Sequence, residues 1–102
     1  MVAPNEIIHQ SLRLKIMGSL NALAHGEELD FTRLRVLTGA TDGNLGAHLA
    51  TLENAGYVQV SKSFVAKRPC TRVRLTPEGA AAFAEHVAFL RQVIDQSAPV
   101  TP

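Results

Sequence analysis

Two helical segments in the middle of this chain are joined by only two or three residues. The first carries Phe31, Leu34, Val36 and Leu37 behind an N-cap at Asp30 or Thr32, and Gly39 ends it. The second begins at a capping Thr41 or Asp42, repeats Leu45, Leu49 and Leu52 at i, i+4 and i+7, and stops at Gly56. So short a link keeps the helices in contact, and the first braces the second. The leucine stripe must then turn inward, which leaves Gly43, Asn44, Ala47, Ala50 and Thr51 on the outer face.

The flanking segments complete the layout. Between Glu6 and Ala24 the residues Ile8, Leu12, Ile16, Leu20 and Leu23 fall within about 120° of arc, the pattern of a helix packed on a core. Ile7, Leu14 and Met17 lie nearly opposite and form a second apolar face. After Gly56, the runs Tyr57, Val58, Val60 and Val73, Leu75 read as two strands joined by a long tip that contains Lys67, Arg68 and Pro69. Thr76, Pro77 and Glu78 open a last helix, with proline at its first position. Its apolar residues form two adjacent stripes: Phe83, Val87, Leu90 and Ile94, and beside them Ala82, Phe89 and Val93.

The spacing therefore predicts helices over about residues 6–24, 31–38 and 42–55, a hairpin over about 57–76 and a C-terminal helix over about 77–95. The class is α+β, mainly α, in a single domain of 102 residues. A hydrophobic fraction of 46% is enough for a core, while no apolar run approaches the roughly 18 residues of a membrane span. The N-terminus lacks the plan of a signal peptide, so a soluble cytoplasmic protein is expected.

The net charge is only +1, but it is unevenly distributed. Residues 57–76 hold five of the ten basic side chains, Lys62, Lys67, Arg68, Arg72 and Arg74, and none of the nine acidic ones. The hairpin is thus +5 and the remainder −4. A basic, acid-free hairpin beside two crossed helices can reach a phosphate backbone while the outer face of the second helix enters a major groove.

This order of elements is a helix-turn-helix followed by a two-stranded β-wing and a long C-terminal helix. The stretch DFTRLRVLTGATDGNLGAHLATLENAGYVQVSKSF followed by TRVRLTPEGAAAF resembles the winged-helix transcriptional regulators of the MarR/ArsR-like type. Its most specific blocks are DGNL-x-x-HL-x-x-LE-x-AGYV and RLTPEG, and the likeness runs from about Leu12 to Leu90. The resemblance implies a dimeric regulator of transcription, a repressor on a near-palindromic operator, whose subunits join through the first and last helices. Those two helices are the ones with surplus apolar faces, which assigns Ile7, Leu14, Met17, Phe89, Leu90 and Val93 to the dimer interface.

For DNA, Asn44 suits a bidentate contact to adenine, and Ala47 or Thr51 a thymine methyl. His48, about 65° around the helix from the leucine centre, is placed either as a brace or as a DNA contact. With no Lys or Arg between Thr41 and Gly56, the second helix lacks the usual guanine contact. Lys67 and Arg68, supported by Arg72 or Lys62, are the expected phosphate or minor-groove contacts, and Arg33 and Arg35 can approach the backbone.

Other chemistries lack support. Glu85 and His86 are adjacent, about 100° apart on a helix, and together with Glu6 and His9 do not make the i, i+4 pair that zinc favours. Cys70 has no second cysteine to resolve it. No catalytic constellation or Gly-rich phosphate loop occurs, so neither an enzyme nor a cofactor is expected. A small-molecule effector in a cleft between the first and last helices is a further candidate partner. The competing class is a winged-helix protein-interaction module that does not bind DNA.

Overall fold

The leucine stripe is where the fold begins. In the computed structural model, which describes residues 3–24 and 26–99, helix α3 (Asp42–Asn54) buries Leu45, Leu49 and Leu52 against α1 (Ser11–Asn21). Helix α2 (Phe31–Thr38) supplies Leu34 to the same core. Of the two capping choices at each helix start, Asp30 caps α2 by accepting from Arg33 N at 2.6 Å, and Thr41 caps α3 by accepting from Asn44 N at 3.2 Å. Gly39 takes φ +71° to end α2.

The end of α3 is a Schellman motif. Tyr57 N donates to Leu52 O, Gly56 N donates to Glu53 O, and Gly56 holds φ +81°. The chain then enters β2 (Val58–Val65) and β3 (Arg68–Leu75), with Val58 and Val73 buried in the core. Helix α4 (Pro77–Gln96) follows, capped by Thr76, whose Oγ1 accepts from Gly79 N and donates to Gly56 O. One threonine thus ties the end of α3 to the start of α4.

Four expectations change. The sheet has three strands, not two: β1 (Glu28–Asp30) pairs antiparallel with Arg72–Arg74, giving the order β1-β3-β2. Three residues pair because β3 is already ordered beside them, a non-local cause without periodicity.

The tip of the wing is tight, not long. β2 and β3 pair out to Val65 and Arg68, and only Ala66 (φ 51°) and Lys67 (φ 65°) make the turn. Two left-handed residues match the type I′ turn, whose twist suits a hairpin. Pro69 lies within β3, opposite Phe64. The closing Val65–Arg68 pair is hydrogen-bonded in such a hairpin, so the next pair is not, and the missing N–H of Pro69 falls on the edge that β1 does not reach.

Helix α1 begins at Ser11, not near residue 6. Asn5 Oδ1 accepts from Ile7 N and Ile8 N, closing a separate turn that carries the buried Ile8. Gln10 then caps α1 by accepting from Arg13 N. Finally, Met17 is 0% exposed and cannot lie on a dimer surface. α1 runs through the middle of the fold and touches α2, α3, α4 and β3, so both of its faces are covered within one chain. Ile7 and Leu14, from the same expected face, are half-buried and pack on the core.

Candidate nucleic-acid interface

Three elements meet on one side of the molecule. On α3 the exposed face presents Gly43, Asn44, Ala47, Ala50 and Thr51, as the inward leucines require. Thr51 Oγ1 donates to Ala47 O at 3.3 Å, and the side chain of Asn44 stands exposed at the helix start. This surface is small and uncharged, shaped for close approach.

His48 differs from its neighbours. It is half-buried, and its Nδ1 lies 2.9 Å from Arg13 Nη1. A guanidinium only donates, so Nδ1 accepts and the ring's proton sits on Nε2. The Nε of Arg13 also donates to Ile7 O. Arg13 therefore links the N-terminal turn, α1 and, through His48, α3. Arg13 had no sequence signal, because a lone basic residue on a helix reads as solvated surface.

Strand alternation sorts the wing cations. Val58 and Val60 face the core side, so Lys62 and Phe64 share that face, together with Pro69, Thr71, Val73 and Leu75 across the ladder. A groove of about 330 Å³ separates this face from α3 and is lined by Gly46, Ala50, Glu53, Val60, Lys62 and Thr71. Arg68, Arg72 and Arg74 belong to the other face, with the half-buried Cys70. Arg74 donates through Nε to Gln59 Oε1 at 2.7 Å, and Arg72 stands in register with Asp30 and Ser61. Lys62 is thus the strand cation beside α3, Lys67 occupies the turn, and Arg72 lies across the sheet from both.

On the helix-turn-helix itself, Arg35 Nε pairs with Asp42 Oδ1 at 3.1 Å across the link between α2 and α3. The pair is exposed, so it holds the turn by no more than about 1 kcal/mol. Arg33 is exposed.

Helix α4 carries exposed apolar side chains among its polar ones. On α4, Phe89 and Leu90 are half-buried, while Val93 is 45% and Ile94 66% exposed. Beneath them His86 is fully buried. Its Nδ1 accepts from Asn5 N at 3.0 Å, its Nε2 lies 3.4 Å from His9 Nδ1, and its ring stacks on Phe89 with centroids 5.8 Å apart. Burial first, then the neighbouring His9, lowers the pKa of His86 below 6.5, against a smaller opposing effect of Glu6. Sequence spacing alone did not reveal this cluster, since residues 9 and 86 meet only in three dimensions. Among the described residues no group of three or more His, Cys, Asp or Glu gathers as a metal site. A shallow cleft of about 390 Å³ lies between α1 and α4, lined by Asn21, Phe83, Ala84, Val87, Ala88 and Arg91.

Comparison with known proteins settles the family. A family model for the winged helix DNA-binding domain matches residues 12–94, from α1 through nearly all of α4. The chain belongs to this family. It is similar to an uncharacterized protein of Methanocaldococcus jannaschii, 33% identical over 88 residues, which are 86% of this chain and 92% of that protein. Among solved structures it is similar to a transcriptional regulator homologue from Pyrococcus horikoshii OT3, with TM-score 0.79 and 30% identity over 90% of this chain and 88% of that one. The fold is also that of a MarR family regulator from Silicibacter pomeroyi, with TM-score 0.68 and 22% identity, covering 94% of this chain and 62% of that one. This winged-helix chain has no helix among its described residues long and apolar enough to cross a membrane.

Proposed function

We propose that this winged-helix chain is a sequence-specific transcriptional regulator that binds a near-palindromic operator as a homodimer and represses by covering a promoter. The observation that carries the reading is the adjacency of the uncharged outer face of α3 to a wing face holding Lys62, in a hairpin without a single acid between Tyr57 and Thr76. A small face on α3 enters a major groove without self-repulsion, and the wing supplies the phosphate attraction that α3 lacks. Asn44, Ala47 and Thr51 read base edges, while Lys62, Lys67 and Arg68 hold the backbone, with Arg72 as an outer contact. His48 serves the site by anchoring α3 to Arg13.

Two-fold symmetry brings the second α3 about 34–36 Å away, one helical turn along the duplex. The apolar side chains of α4 support the dimer, with Val93 and Ile94 exposed and Phe89 and Leu90 half-buried. Sedimentation should give twice the chain mass at micromolar concentration. An effector acting on this dimer would take the α1–α4 cleft, where binding shifts one subunit against the other.

Gel shift with duplexes selected from a random pool tests the DNA reading. Lys67→Ala with Arg68→Ala should weaken binding alike on all sequences, whereas Asn44→Ala should relax choice at one position by about 1–3 kcal/mol. Failure of the unaltered chain to bind any duplex would favour a protein-interaction module, for which the lack of Lys and Arg on α3 is the supporting observation.

A further inference from the structure

The most exposed large apolar side chain of the described residues is at the far end of the wing. Phe64 is 76% exposed and its neighbour Val65 50%. No described residue covers either, although a hairpin tip in water favours polar residues. The position of Phe64 is set by the ladder. It lies six residues beyond the buried Val58, about 20 Å along the strand, on the face that Lys62 shares and that adjoins α3. Pro69 stands opposite it, Lys62 shares its face two residues back, and Lys67 occupies the adjoining turn, so the exposed ring has cations on either side along the hairpin.

The two-residue turn of Ala66 and Lys67, with φ values of 51° and 65°, fixes the shape of the tip that carries Phe64. A flat apolar side chain flanked by positive charge matches a site with anionic walls and a floor of stacked rings. The minor groove of duplex DNA has that chemistry, and apolar side chains inserted there part a base step.

We propose that Phe64 is a wedge that enters the minor groove beside the half-site occupied by α3 and partly unstacks one base step, held in place by Lys62 and Lys67 on the adjoining phosphates. Pyrimidine–purine steps unstack most easily, so Phe64 selects a TA or CA step at a position where no base edge is read. This rests on the DNA-binding reading above.

The test uses the full chain and duplexes recovered by random-pool selection, carrying 2-aminopurine at each step flanking the half-sites. Binding by the unaltered chain should raise 2-aminopurine fluorescence at one flanking step per half-site. Phe64→Ala should abolish that rise, weaken binding about tenfold and remove the preference for TA over AA at that step, with the salt dependence unchanged. Phe64→Leu, which keeps an apolar wedge, should retain most of the preference. Equal affinity and equal step preference in Phe64→Ala would overturn the wedge while leaving DNA binding intact. A change of oligomeric mass in Phe64→Ala, without the fluorescence change, would also overturn it and assign the tip to protein contact. A chain that binds no duplex at all refutes the DNA reading itself, and the wedge falls with it.

Discussion

Replacing Gly79 with alanine should be among the most damaging single-methyl changes available in this chain. A Cβ at this position would stand 2.0 Å from the carbonyl oxygen of Tyr57 and 2.9 Å from its carbon, with Leu75 Cδ1 at 3.0 Å. Relief requires the start of α4 and the base of the wing to part by about 1 Å or more. The oxygen cannot simply retreat. Tyr57 O accepts from Thr76 N at 3.1 Å, Tyr57 N donates to Leu52 O at 3.0 Å, and Thr76 Oγ1 donates to Gly56 O at 2.6 Å. Overpacking of this kind costs about 1–3 kcal/mol, and loss of one or two of these hydrogen bonds adds about 1 kcal/mol each. The sum, about 2–5 kcal/mol, is a large part of the roughly 5–15 kcal/mol that stabilises a small domain. Urea unfolding should show it as a midpoint lowered by about 2 M. Gly46→Ala is the internal control. It lies within α3 with no atom within 4 Å of its added Cβ, so it should stabilise by about 0.5–1 kcal/mol. A Gly79→Ala loss below about 1 kcal/mol would refute the close-approach argument.

Three further outcomes follow from local geometry. Ala66→Asn, at φ 51° in the wing turn, should raise the melting temperature, the gain being about 0.5–1 kcal/mol, because asparagine tolerates the left-handed region. His48→Ala leaves the Arg13 guanidinium without its acceptor on α3. It should cost about 1–2 kcal/mol and weaken DNA binding on every sequence alike, with partial rescue by His48→Gln, whereas selective loss at one base pair would make His48 a reader instead. The lowered pKa of His86 means the unfolded chain binds the extra proton first. Stability is then full above 6.5 and falls as pH drops through 6.5 toward the folded value. Urea titrations between pH 8 and 5 should show that decline, and His86→Asn, which keeps an acceptor for Asn5 N but cannot titrate, should flatten it.

The parts of the fold that were legible are those held by local chemistry. The AGYV block is the Schellman end of α3 and the start of β2. The LTPEG block is the cap of α4, with the glycine whose bare Cα lets that helix meet Tyr57. What the sequence concealed is held by distant partners. Strand β1 exists because β3 lies beside it, and Ile8 is buried outside any helix because Asn5 folds a turn over His86 and Tyr57. Met17 read as surplus because a helix wheel does not show that α1 is surrounded. The wing turn was hidden because Ala66 and Lys67 are not the residues that a type I′ turn normally recruits. On the interface, the outer face of α3 followed from the leucines. The division of the wing cations, with Lys62 toward α3 and Arg72 away, needed the strand register.

The central claim is that the basic wing holds a phosphate backbone, and the salt dependence of binding tests it most directly. With two to four phosphate contacts per subunit, a dimer makes about four to eight, and a plot of log affinity against log salt should fall with a slope of about −4 to −7. Removing Lys67 and Arg68 from both subunits should make that slope shallower by about 3–4. A slope near zero for the unaltered chain would contradict the account.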